Sequence, residues 1–173
     1  MSKMRKDSRQ MSAEWALGVF DKAPFVTMSM SDNGMPYSVP LSLVRADDTT
    51  FFFHCATEGR KLDVLRSNPV VCLSAVAKCK PVVGPKDGSF TLEYMSAIAY
   101  GVAEVVDDDE LKIKVLRLIC ERFLPQHIDA FDEAVQRSLS RTAVVRITLT
   151  EPPVGKRKQY DRNGDELKYG RME

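Results

Sequence analysis

Three consecutive residues, Gly59, Arg60 and Lys61, stand where the apolar run FFFHCA hands over to the helical pattern KLDVLRS. Cations in the first turn of a helix face the positive end of its macrodipole, which costs about 0.3–1 kcal/mol each at exposed sites. Such an arrangement is tolerated more readily where an anion sits. Free backbone N–H groups, an arginine fork and a lysine ammonium together make a phosphate receptor, and a glycine lets the ligand approach the backbone. The competing reading is a solvated turn on which Glu58 and Asp63 neutralise the two cations. His54 lies five residues upstream of Gly59. Its imidazole could donate a proton or a hydrogen bond to a substrate oxygen, or could be a core residue satisfied by a backbone carbonyl. His54 and Cys55 are neighbours in a probable strand, so they point to opposite faces.

Other chemistries find little support. The histidines, His54 and His127, fall at no ligand spacing with a cysteine pair, so no metal site is expected. Cys55, Cys72, Cys79 and Cys120 form no CxxC pair and read as reduced thiols of a cytoplasmic protein. There is no GxGxxG or GxxxxGK[ST] phosphate loop. Lys plus Arg number 25 against 24 Asp plus Glu, so no bulk charge draws the chain to nucleic acid or membrane. The basic cluster Lys156, Arg157 and Lys158 is too short to change that and reads as a solvated end or a local anion contact. No apolar run approaches the roughly 20 residues that span a bilayer, and 1–10 carries no apolar segment of a signal peptide. At 173 residues, 44% hydrophobic and 28% charged, the chain suits one globular domain over 1–173, with an N-terminal arm over 1–11 and a polar tail over 151–173.

The elements that must position these residues follow from periodicity. Ser12 can cap a helix over 12–22, with Ala13, Ala16, Leu17 and Phe20 at helical spacing. Strict alternation over 26–31 predicts a strand, Asp32-Asn33-Gly34 a hairpin turn, and 37–45 the return strand. Pro40 cannot donate to a ladder, so that strand reads as an edge or a bulge. Further strands are expected over 51–56, 70–77, 91–106 and 143–150. A short helix is expected over 57–67, a loop over 78–89, and helices opening at Asp107–Glu110 and near 129–138. One face of the fifth strand is small, with Ala97, Ala99, Gly101 and Ala103, which would let a second backbone or a flat ligand come close. Six strands with short flanking helices, the early ones joined by hairpins, indicate a mainly β, α+β antiparallel sheet or barrel.

Five segments in this order, MRKDSRQMS, YSVPLSLV, FFFHCATEGRKLD, YMSAIAYGVAEVVDDDE and SLSRTAVVRITLTEPPVGKRK, resemble the pyridoxamine 5'-phosphate-oxidase-like flavoproteins, in the branch of the 5-nitroimidazole-resistance proteins. The resemblance covers about 4–158. It implies a six-stranded antiparallel split β-barrel binding flavin mononucleotide (FMN) at the interface of a homodimer. Backbone groups of the strand Tyr37, Ser38, Val39, Pro40 and Leu41 would face the isoalloxazine. Gly59 with Arg60 and Lys61 would hold the phosphate, Ser96 would lie near the cofactor, and His54 would be the catalytic residue beside the flavin. The implied activity is electron transfer from a nicotinamide or other donor to a small oxidised organic acceptor such as a nitroaromatic. A non-catalytic flavin-binding or sensing protein, or a split barrel holding haem or a deazaflavin, are the alternatives; Arg60 and Lys61 suit a phosphate tail and count against haem. The segment Lys78-Cys79-Lys80-Pro81, the loop over 85–90 and the position before Tyr94 depart from the family pattern, which leaves the substrate open.

Overall fold

A computed structural model describes residues 4–83 and 90–168. Short strand β1 (Gln10–Met11) precedes α1 (Ala13–Lys22). Then come β2 (Val26–Asp32), β3 (Met35–Leu41), β4 (Val44–Arg45), β5 (Thr50–Ala56) and α2 (Arg60–Ser67). Two long strands, β6 (Val70–Val83) and β7 (Phe90–Val106), lead to α3 (Asp109–Phe123) and α4 (Phe131–Ser138). The chain finishes with β8 (Thr142–Leu149) and β9 (Val154–Lys158). Every pairing is antiparallel within one nine-stranded sheet, in the order β3-β2-β6-β7-β8-β5-β4. The expected mainly β architecture of a split barrel is therefore present. The sheet curls but does not close, because the end strands β3 and β4 do not pair with each other.

Local chemistry accounts for the early elements. The Ser12 hydroxyl accepts the Trp15 N–H and starts α1, which buries Ala16, Leu17, Val19 and Phe20. Asn33 and Gly34 both take positive φ (51° and 86°), the turn that best matches strand twist in a two-residue hairpin. Met28, Leu73, Phe53 and Ile147 point inward from four strands to form the main core with α1. A second cluster lies on the opposite face of β5, where Phe52 and Val144 pack under Val115 and Ile119 of α3.

Arg122 fixes α3 in place. Its guanidinium donates to the carbonyls of Leu43 (2.6 Å), Phe20 (2.8 Å), Asp21 (2.9 Å) and Ala23 (3.1 Å). It thus serves the carbonyls at the end of α1, which no intrahelical N–H can reach. Burial pulls its pKa below the ordinary value, while nearby Asp21 acts in the other direction.

Several expectations are corrected. The return strand over 37–45 is two strands: β3 stops at Leu41, and β4 joins β5 instead. The helix expected from 57 starts at Arg60, because Gly59 at φ 125° lies outside helical space. The loop expected over 78–89 is strand as far as Val83; a register shift between Val76 and Lys78 lets the sequence past Ala77 keep its partner on β7, and 84–89 lie outside the described residues. The turn-rich tail holds β9, paired with Tyr94–Ile98 of β7 and with β1. The small face of β7 lets another backbone come close, as expected, and that backbone is β8. Ala97, Ala99 and Ala103 are core residues, and a Cβ on Gly101 would meet the Thr148 carbonyl at 2.7 Å. The face of β7 that stays open carries Ile98, Tyr100 and Val102.

Candidate functional site

The split between the two ends of the sheet gathers most of the singled-out residues. Arg60 reaches across it from the start of α2. Its guanidinium lies 4.5 Å from the Tyr37 ring centroid on β3 and 3.0 Å from the Asp32 carboxylate at the hairpin. Lys61 stands beside it, its ammonium 5.1 Å from the Phe53 ring centroid. No carboxylate pairs with Lys61 among the described residues, and no side chain caps the first turn of α2. Asp63 is engaged elsewhere, by Arg66 at 3.0 Å. The solvated-turn reading, with Glu58 and Asp63 neutralising both cations, is thus not what the fold does. A half-buried ammonium at an uncapped helix start matches an anion in charge and in hydrogen bonding. The Arg60–Asp32 pair is largely exposed and worth about 0.2–1 kcal/mol, so it holds the guanidinium only weakly.

Strand β3 supplies backbone groups. It ends the sheet, so one of its edges faces no strand among the described residues. Pro36 and Pro40 alternate with Tyr37, Val39 and Leu41, which oppose Met30, Met28 and Val26. A proline cannot donate to a ladder, so the positions that exchange bonds with β2 are Tyr37, Val39 and Leu41. The open edge then offers the carbonyls of Pro36, Ser38 and Pro40 and one N–H, that of Ser38. The Ser38 hydroxyl is engaged with Ser29 at 2.9 Å.

His54 projects from the face of β5 opposite Phe53 and Cys55, toward α3 and α4. Desolvation, followed by the charge of Lys61, lowers its pKa below the ordinary imidazole value, so the ring is neutral at pH 7. Cys55, on the other face, has its thiol pKa raised by burial, with Lys61 opposing. One lysine therefore acts on both neighbours of the strand end. Ser96 is not brought into this cluster. It sits on β7 in register with Val76 and Lys156, three strand spacings from β3, or roughly 14 Å along a flat sheet. Sequence reasoning missed Asp32 and Phe53, the partner of Arg60 and the platform under Lys61. The alternation of FFFHC places Phe53 opposite His54 and could have indicated the second; nothing local indicates the first.

The same chain matches the profile described as pyridoxamine 5'-phosphate oxidase over residues 12–155. The chain belongs to the pyridoxamine 5'-phosphate oxidase family. Solved structures agree with that family fold. A candidate 5-nitroimidazole antibiotic resistance protein from Bacteroides thetaiotaomicron is 22% identical, with a TM-score of 0.68, over 83% of this chain and 82% of that one. The FAD and heme binding protein from Mycobacterium smegmatis is 21% identical, with a TM-score of 0.75, over 86% and 73%. The flavocytochrome Anf3 from Azotobacter vinelandii is 20% identical, with a TM-score of 0.73, over 92% and 73%. No curated protein matches by sequence. Among the described residues of this family member, no helix is long and apolar enough to cross a membrane.

Proposed function

We propose that this family member binds FMN in the split between β3 and α2 and acts as an oxidoreductase on a small oxidised organic acceptor such as a nitroaromatic. The observation that carries the reading is Lys61: a half-buried cation without a carboxylate partner among the described residues, at an uncapped helix start, beside an open strand edge. These residues fit a phosphate ester joined to a planar heterocycle. Lys61, Arg60 and the first turn of α2 would hold the phosphate. The Ser38 N–H and the carbonyls of Pro36, Ser38 and Pro40 would serve the ring edge. Electron transfer is the chemistry a flavin supplies when bound; the chain would contribute placement and, at the His54 imidazole, a proton. A neutral imidazole can carry a proton in and hand it on near pH 7.

The proposed assembly is a cytoplasmic homodimer with the cofactor at the interface. The open outer face of β6 and β7 supports it, since Val70 (58% exposed), Val76 (50%), Ile98 (45%) and Tyr100 (43%) form an apolar patch. Ser96 shares that face of β7, so a second copy would bring it toward the partner's split. Light scattering of the flavin-loaded protein should give twice the chain mass, and a monomer would remove the assembly. The test of the cofactor is the visible absorption of the purified protein and of the compound released on heating. FMN is expected; a colourless protein that takes up no FMN in titration refutes the reading.

A further inference from the structure

The chain has two histidines, and both line one groove although they come from distant elements: His54 from the end of β5, His127 from the 3-10 segment between α3 and α4. The groove holds about 450 Å³, and its walls include Leu116, Ile119, Phe131 and Val135. That volume lies within the roughly 300–1,000 Å³ of small-molecule sites. No Asp, Glu, Lys or Arg side chain lines it. Its other polar side chains are committed. The Ser138 hydroxyl donates to the Ala134 carbonyl at 2.7 Å, the Thr142 hydroxyl to the Ser138 carbonyl at 2.8 Å, and the Cys120 thiol to the Leu124 carbonyl at 3.8 Å. The two imidazoles have no hydrogen-bond partner in the groove among the described residues, so they are the groups left to meet a ligand.

We propose that this groove is a small-molecule binding site and that it takes an uncharged aromatic compound carrying a hydrogen-bond acceptor, recognised by His54 and His127. The proposal stands independently of the flavin reading. Charge decides the class. An ionised ligand would give up part of its hydration against the buried walls Ile119, Phe131 and Val135 and meet no opposite charge among the lining residues. An uncharged ring loses little and gains apolar contact with Phe131 and the leucine and isoleucine walls. A metal is a poor occupant, because among the described residues no three His, Cys, Asp or Glu side chains come together as a metal site.

With two histidines in the chain, both report on the groove, and ring 1H–13C NMR gives two resolvable signals. The full chain, as purified and without electron donor, is titrated with 4-nitrobenzyl alcohol and with 4-nitrobenzoate, an anion of similar size. His127→Gln assigns the signals. The alcohol is expected to shift both, and the carboxylate to bind at least tenfold more weakly. Ala134→Phe, at an exposed position of α4 lining the groove, fills the space and should abolish both shifts. The proposal is overturned if neither signal moves, if His54 alone moves, if the two probes bind equally, or if Ala134→Phe leaves the shifts intact. Flavin content is read from visible absorption in the same samples. Both shifts in a flavin-free protein would keep the groove and remove the oxidoreductase reading.

Discussion

Replacing Arg122 by methionine tests whether the clamp on α1 governs the placement of α3. Methionine keeps an unbranched stem of similar length, so the packing of the side chain changes little while all donors go. Four carbonyls lose their partner, three of them served by a single nitrogen that has two protons to give. One bond from the first nitrogen and at most two from the second make three, at about 1.5–3 kcal/mol each for a charged donor. Relief from burying the guanidinium, the main cause of its lowered pKa, returns part of that. The net loss should be about 2–4 kcal/mol against a typical total of 5–15. For a chain of this size that corresponds to about 5–15 °C in Tm. Calorimetry and guanidinium unfolding measure it. Arg122→Lys should recover less than half, because one ammonium cannot reach carbonyls on both α1 and the β3–β4 connection. A Tm for Arg122→Met within 2 °C of the parent (roughly 0.5–1 kcal/mol) would refute the reasoning and make α3 self-supporting.

Lys61→Ala should weaken FMN about 10–100-fold while riboflavin affinity hardly moves, since the lost bond is a charge-assisted one of about 1.5–3 kcal/mol; fluorescence titration with both compounds checks it, and equal losses would place the phosphate elsewhere. His54→Phe should slow flavin reoxidation by an organic acceptor about 10²-fold or more, the usual scale for a lost general acid, and leave reduction by the nicotinamide donor much less affected; stopped-flow absorbance separates the two half-reactions. His54 also predicts a pH effect. Its folded pKa lies below the unfolded value, so the unfolded chain binds more protons and stability falls as pH drops below about 6.5. The decline in urea midpoint between pH 7 and 5 should therefore be smaller in His54→Phe than in the parent. Gly101→Ala would drive a methyl group against the Thr148 carbonyl at 2.7 Å and the Ile147 side chain at 2.8 Å. It should lower Tm well beyond the effect of an exposed alanine substitution, and an unchanged Tm would mean that β7 and β8 can part at no cost.

Elements whose cause is local were readable. Ser12 announces α1, and Asn33-Gly34 announces the hairpin, because capping and positive φ are properties of a few adjacent residues. Strand β9 was not readable. Val154–Lys158 is short and mostly polar, and it is extended because β7 is longer than β8 and leaves Tyr94–Ile98 without a partner on that side. The same holds for Lys78 to Val83, whose lysines and Pro81 suggest a loop but which follow β7 past a bulge. At the site, the Gly59–Lys61 triplet carried its own signal in the conflict between its charge and the helix dipole. The groove carried none, since nothing in the sequence around His127 points to His54. That juxtaposition depends on how α3 lies across β5, and so on Arg122.

The two prolines of β3 set what may attach to the rim of the sheet. A naked strand edge invites any extended peptide to continue the ladder, including another copy of the same protein. Here a visiting strand would find acceptors at regular intervals but a ring carbon where two of the donors ought to be, so the ladder would fail every second rung. A compact planar molecule needs no repeat. It can use the solitary Ser38 amide and the carbonyls on either side of it, and then stop. Pro36 and Pro40 thus keep an extended peptide from completing a ladder on this rim.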